Sequence, residues 1–167
     1  MIIDTMEGNI FNTEAKHIAF SINAEGAVGG GFDGQVIRKG WPELKDCGKN
    51  PIGTVLSKKI DGVTYHALVT HSLDAGWGTP EQQWDNTKLC FDNIPVSEDE
   101  VVASIAIGSG FIGLVSGAKP KHIVCGMHDS NKKILLYGYS MELIKQAYEE
   151  EVAKRQEQPI GDEPANS

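Results

Sequence analysis

The chain has 167 residues, 40% of them hydrophobic and 23% charged, and carries a net charge of −8 at neutral pH. That length suits one domain with a substantial core, and the composition is ordinary for a globular protein. The acidic balance argues against a general binder of nucleic acid or of a membrane surface, while leaving room for a local anion site. Cys47, Cys90 and Cys125 form no C-x-x-C pair, which suggests neither a disulfide framework nor a zinc site. His17, His66, His122 and His128 show no metal-ligand spacing, so no metal is expected. No basic, apolar leader opens the sequence and no apolar run is long enough to span a bilayer. A soluble cytoplasmic protein with reduced thiols is the expectation.

Residues 1–10 are short and partly apolar, and Gly8-Asn9-Ile10-Phe11 reads as a strand end entering a turn. Asn12-Thr13-Glu14 is placed to cap a brief helical turn. The continuous apolar run Ile18–Ile22 is the pattern of a strand buried on both faces. It ends at Asn23 and leads into Gly29-Gly30-Gly31-Phe32-Asp33-Gly34. Adjacent glycines leave a bare backbone that enters φ > 0 and comes into contact with a ligand. A helix starting just after them adds its positive end to their converging N–H groups. A cradle for a phosphate or diphosphate is the sharper reading; a flexible surface loop is the plainer one. Residues 34–47 read as helical, with Pro42 starting a second short helix.

Two strands, separated by the hairpin signal Asp61-Gly62, are expected between Gly53 and Thr70. The loop from His71 to Pro80 holds Gly76-Trp77-Gly78, which makes Trp77 a candidate lid; Trp84, on the helix expected over 81–94, reads as core. Val101–Ile107 is a second central strand candidate. It runs into another glycine-rich loop, Gly108-Ser109-Gly110-Phe111-Ile112-Gly113. This is literally a G-x-G-x-x-G pattern, but it lies late in the chain, and Ser116-Gly117 and Pro120 argue against a long helix after it. An NAD-dependent oxidoreductase is therefore the weakest reading, and a second phosphate-gripping loop opposed to the first fits better. A helix over 121–128, a last strand over 133–139 and a closing helix capped by Ser140 follow, the last with a stripe of Leu143, Ile144, Ala147, Tyr148 and Val152. Residues 1–156 are read as a single domain, and the polar segment 157–167 as a disordered tail. Strands alternating with helices indicate an α/β sandwich with a mostly parallel or mixed sheet, whose ligands bind at the carboxyl ends of strands. Both glycine loops fall at such ends.

The order of these segments, from Gly8-Asn9-Ile10 through Ile18–Asn23 and Gly29–Gly34 to Ile107–Gly113, resembles a macro domain, the ADP-ribose-binding fold. It is most similar to the ADP-ribose-1''-phosphate phosphatase and deacylase-like branches. The resemblance implies a three-layer α/β/α sandwich with a mixed central sheet, and ADP-ribose or a related nucleotide held between the two loops. It places Asn9 where an aspartate usually holds the adenine amino group, with the Ile10 N–H near the ring. An amide accepts that bond without charge assistance. Asn23 matches the asparagine that contacts the distal ribose. Gly29, Gly30, Gly31 and Phe32 match the first diphosphate loop; Ser109, Gly110, Phe111, Ile112 and Gly113 match the second, with Phe111 covering the distal ribose or phosphates. Tyr139 is the candidate to stack on adenine, in competition with Tyr137.

The resemblance also names catalytic candidates. Asp33, with Asn23, matches the position that helps activate a water in hydrolytic members; the same position suits a helix cap. His71 falls where the deacylase-like branch has a lysine nucleophile, and remains a candidate acid, base or rim residue. Ile37 stands where some hydrolases have a histidine, and Ile112 where the branch has an aspartate, so no lysine-adduct chemistry and no cofactor are expected. Two functions follow. One is hydrolysis at the distal ribose of ADP-ribose-1''-phosphate or an ADP-ribosyl adduct. The other is a non-catalytic reader, or a sponge for an ADP-ribose-type signalling nucleotide of the kind phages use against host defence.

Overall fold

The apolar run at Ile18–Ile22 forms the heart of a central strand in the computed structural model, which describes residues 1–157. In chain order the elements are β1 (Ile2–Met6), a 3-10 turn (Ile10–Asn12), β2 (His17–Asn23), α1 (Phe32–Gly40) and a second 3-10 turn (Pro42–Asp46). Then come β3 (Val55–Ile60), β4 (Val63–His71), α2 (Pro80–Asp92), β5 (Val101–Ser104), α3 (Phe111–Val115), α4 (Pro120–Asp129), β6 (Lys133–Tyr137) and α5 (Met141–Glu157). The sheet order is β1-β6-β5-β2-β4-β3. Every pairing is parallel except the β3–β4 hairpin, whose turn takes Asp61 and Gly62 through positive φ, as the Asp-Gly signal requires.

Side chains alternate across β2. Ile18, Phe20 and Ile22 face α1 and the second 3-10 turn, meeting Val36, Ile37, Trp41 and Leu44. Ala19 joins Leu68, Val102, Ile134 and Leu136 on the other face, under Phe91 of α2, Ile123 and Met127 of α4 and Ile144 of α5. With helices on both faces, Ile18, Ala19, Phe20 and Ile22 are all buried although they point to opposite sides, which is why β2 reads as a largely apolar run. The expected three-layer α/β/α sandwich with a mixed sheet is what forms. α2 begins at a capping box between Thr79 and Gln82 with Pro80 in its first turn. No helix among the described residues is long and apolar enough to cross a membrane.

Several local expectations shift. The 3-10 turn at Ile10–Asn12 is capped by Asn9, whose Oδ1 accepts from the Phe11 N–H at 3.0 Å, rather than by the Asn12–Glu14 segment. The last strand stops at Tyr137, because Gly138 turns through positive φ. On α5 the stripe is only partly used. Ile144 is buried, but Leu143 is 59% exposed. The other buried position is Glu151, which sits among Lys121, His122 and Lys154 at 3.8, 3.4 and 3.1 Å. Glu157 belongs to this helix, and the rest of the tail read at 157–167 lies outside the described residues.

One buried polar side chain is fully partnered. His66 is buried, and hydrogen bonds run from Ser57 Oγ to its Nδ1 (2.6 Å), between its Nε2 and His17 Nδ1 (3.0 Å), and between His17 Nε2 and Glu100 (2.8 Å). This relay crosses the amino-terminal end of the strands, away from the glycine loops. Burial pushes the His66 imidazole down to about 4, and the His17 ring beside it adds to the effect.

α2 and α4 meet backbone to backbone at Gly126. A Cβ there would lie 2.3 Å from the Trp84 carbonyl oxygen. Gly126→Val is therefore expected to lower the unfolding free energy by roughly 1–3 kcal/mol, read as a lower urea midpoint at unchanged m-value. A variant as stable as the parent would contradict this packing.

Candidate functional site

β2 and β5 are hydrogen-bonded parallel neighbours, so the loops leaving their carboxyl ends emerge side by side. Asn23 through Phe32 leave β2; Gly108 through Gly113 follow β5. Both line one cleft of about 310 Å³, whose wall also includes His71 and Trp77 from the segment after β4. The two glycine loops are thus brought to one site.

The first loop is shaped by Asp33. Its carboxylate accepts from the Gly29 N–H (2.9 Å), the Gly31 N–H (3.0 Å) and the Gly34 N–H (2.9 Å). A carboxylate in the first turn of α1 also suits the positive end of that helix. The amides of Gly30 and Phe32 are not among those it holds. Gly34 is obligatory, since a Cβ would lie 2.4 Å from the Gly29 carbonyl oxygen, whereas one on Gly30 would meet only open space. Asn23 closes the preceding turn, its Nδ2 donating to Ala27 O at 2.8 Å and its Oδ1 accepting from Ala27 N at 3.0 Å.

The second loop opens the short helix α3. Its first backbone bond is Leu114 N–H to Gly110 O at 3.0 Å, which leaves the amides of Phe111, Ile112 and Gly113 at the open end of the turn. Gly110, Ile112 and Gly113 line the cleft. A Cβ on Gly113 would lie 2.7 Å from Gly108 O, so this turn too needs its glycine. Ser109 turns away, its hydroxyl donating to Ala106 O at 2.7 Å. Ile112 is 72% exposed at the rim, while Phe111, 77% exposed, lies outside the cleft lining, as do Gly29 and Ser109. A helix of only five residues is not the long helix that follows a dinucleotide fingerprint.

His71 ends β4 and stacks on Trp77 with ring centroids 4.2 Å apart and planes 10° from parallel. Its Nδ1 shares a hydrogen bond with Thr70 Oγ1 at 2.9 Å. Burial lowers its pKa to about 4, against the opposing pull of Glu25. Trp77 is 3% exposed and packs in the core beneath the loops, so it is a wall of the cleft rather than a lid. Its indole nitrogen is buried without a hydrogen-bond partner among the described residues. Trp84 is core, as expected.

The remaining expected residues lie outside the cleft lining. Asn9 is spent on capping its own turn, and Ile10 is buried in the α1-side core. Tyr139 packs against the opposite core and lines a groove between α4 and α5, while its competitor Tyr137 is buried under α1. One aromatic was missed from sequence. Phe11 stacks on Phe32 with centroids 5.0 Å apart and planes 6° from parallel, and Lys39 Nζ lies 4.7 Å from its centroid. Its only signal was a phenylalanine beside a turn.

No protein-family model and no curated protein matches the sequence. Solved structures do match. The Oceanobacillus iheyensis macrodomain with MES bound aligns at a TM-score of 0.58 and 17% identity, over 92% of this chain and 91% of that one. The macrodomain of Thermus aquaticus DarG aligns at 0.58 and 16% identity, over 81% and 97%. An alphavirus chain, P23pro-zbd, aligns at 0.58 and 13% identity over 93% of this chain, which spans only 24% of that one. The fold is a macrodomain fold.

Asn23 ends β2, Gly30 lies bare in the loop after it, and Asp33 ties that loop from the first turn of α1.

His71 and His66 both fall to about 4. Between that value and about 6.5 the unfolded chain binds more protons than the folded one, so stability rises with pH across this window. Unfolding midpoints should therefore decline as pH drops from about 6.5 towards 4, and ring-proton NMR should show His71 still neutral at pH 5.5. A His71 titration near 6.5 would contradict its burial on Trp77.

Proposed function

We propose that this chain binds ADP-ribose or a close derivative in the cleft between its two glycine-rich loops. The observation that carries this reading is the convergence of both loops on one cleft with no lysine or arginine among the described residues of its lining. An anion there meets main-chain amides in place of cationic side chains, a recognition mode open to an acidic protein. Macrodomains from Oceanobacillus iheyensis and Trypanosoma brucei have been solved with ADP-ribose bound, the latter also with ADP, which supports the same ligand class here.

In this reading the diphosphate lies between Gly30–Phe32 and Gly110–Gly113. The distal ribose lies toward Asn23 and His71, under Phe111. The adenine lies toward the end of β1, beside the Phe11–Phe32 stack.

The geometry favours holding the nucleotide over hydrolysing it. Asp33 engages three loop amides with its carboxylate, so its first task is to shape the loop. Asn23 is latched to Ala27, and His71 has too low a pKa to be an efficient base near neutrality. A reader of ADP-ribosylated partners or a nucleotide sponge fits this set better than a phosphatase. Hydrolysis at the distal ribose would need Asp33 to turn a water while still tying the loop.

Calorimetry with ADP-ribose tests the binding. Gly30→Glu should abolish the heat of binding while the protein stays folded, since the new side chain enters the open cleft. Asp33→Ala should weaken binding about tenfold or more by releasing the loop amides. Chromatography of ADP-ribose-1''-phosphate after prolonged incubation should return it unchanged. Retained affinity in Gly30→Glu would remove the loop assignment, and phosphate release that stops in Asp33→Ala with binding kept would establish an enzyme.

A further inference from the structure

No residue of α3 is buried. Four of its five positions carry large apolar side chains, and Leu114 and Val115 are 49% and 63% exposed beside the still more exposed Phe111 and Ile112. A surface helix ordinarily turns such residues into a core. This one is held by its backbone instead. Gly113 packs so closely on Gly108 that a Cβ would lie 2.7 Å from the Gly108 carbonyl oxygen. The Ser116 carbonyl oxygen lies 2.6 Å from where a Cβ of Gly76 would stand. Just beyond, the buried Gln83 donates from Nε2 to Gly117 O at 2.9 Å and accepts from the Lys119 N–H at 2.6 Å. The fold fixes the helix and leaves its side chains in solvent. Leu73, 59% exposed, lines the same cleft as Ile112 and extends this surface. No charged residue occurs from Ile105 to Ala118, in a chain of net charge −8.

We infer that α3 is a self-association surface, packing against α3 of a second copy of this chain about a two-fold axis. Area and charge both select that occupant. At ordinary side-chain areas the four apolar residues of α3 and Leu73 expose on the order of 600 Å², at the upper end for the largest apolar patch of a monomer. A standard interface buries roughly 800 Å² on each partner, so this patch supplies most of one, as its apolar centre. Two copies of an acidic chain repel each other, and they meet at least cost through a face that carries no charge. An uncharged apolar face is also complementary to itself, which a two-fold contact requires. A charged partner would find no ion-pair group on the helix. Because backbone contacts already hold α3, little ordering is left for association to impose. The inference does not depend on the ligand and stands whether or not the cleft holds ADP-ribose.

Sedimentation equilibrium of the full chain across the micromolar range tests this. The parent should show a reversible monomer–dimer equilibrium with a micromolar dissociation constant. Leu114→Glu and Val115→Glu each bring a carboxylate to the contact between two acidic copies, and each should raise that constant at least about tenfold. Both side chains are exposed, so circular dichroism should match the parent. Leu143→Glu, which charges an equally exposed apolar position on α5, should leave the constant unchanged. Added salt should tighten the dimer, because it screens the repulsion between copies and leaves an apolar contact intact. A parent that sediments as a single copy throughout the range overturns the inference. So does a dimer that persists in both α3 variants, or one that only Leu143→Glu dissolves, which would place the contact on the groove between α4 and α5. A dimer that loosens as salt rises overturns it as well, since ion pairs would then hold the copies together.

Discussion

The carboxylate of Asp33 is the group on which the first loop's shape depends. It gathers the N–H groups of Gly29, Gly31 and Gly34 into one turn. Three glycines in a row have little conformational preference of their own, and ordering them costs more backbone entropy than ordering any other residues. Charge-assisted hydrogen bonds to a carboxylate offset that cost and set the loop's curvature. What remains unheld is the edge of the loop that faces the cleft. The residue that looked like a base from its position is thus engaged in shaping the loop.

The second constraint is topological. β2 and β5 are far apart in sequence but adjacent in the sheet, and parallel pairing sends both chains out of the same edge. Opposed glycine turns follow without any further device. The opposite edge carries the Ser57–His66–His17–Glu100 relay. The strands thus separate a hydrogen-bonded end from an open end lined by the two glycine loops.

Much of the fold was legible because both sheet faces are covered. The largely apolar runs at Ile18–Ile22 and Val101–Ile107 marked central strands, the second ending earlier than expected at Ser104, and Asp61-Gly62 announced its hairpin. Asn23, Gly29–Phe32, Asp33, His71 and Gly110–Gly113 all fall at strand ends that the alternation of strands and helices could locate. What sequence could not show is where a side chain spends its hydrogen bonds. Asn9 turned back to cap its own turn and Ser109 to its own loop, because each had a backbone partner close by, while Trp77 packed its ring into the core. The Phe11–Phe32 stack joins residues whose approach depends on the 3-10 turn and on where α1 begins, neither of which periodicity fixes. α5 misled for a different reason: it packs along a narrow seam, so an apolar stripe and a buried glutamate compete for one face.

The central claim is that main-chain amides of two separate turns hold one pyrophosphate. Backbone ¹H–¹⁵N spectra recorded during titration with ADP-ribose test this most directly. The account predicts the largest shifts at Gly30, Phe32 and residues 110–113 together, saturating with one affinity. Shifts confined to one loop, or centred on the groove between α4 and α5, would contradict it.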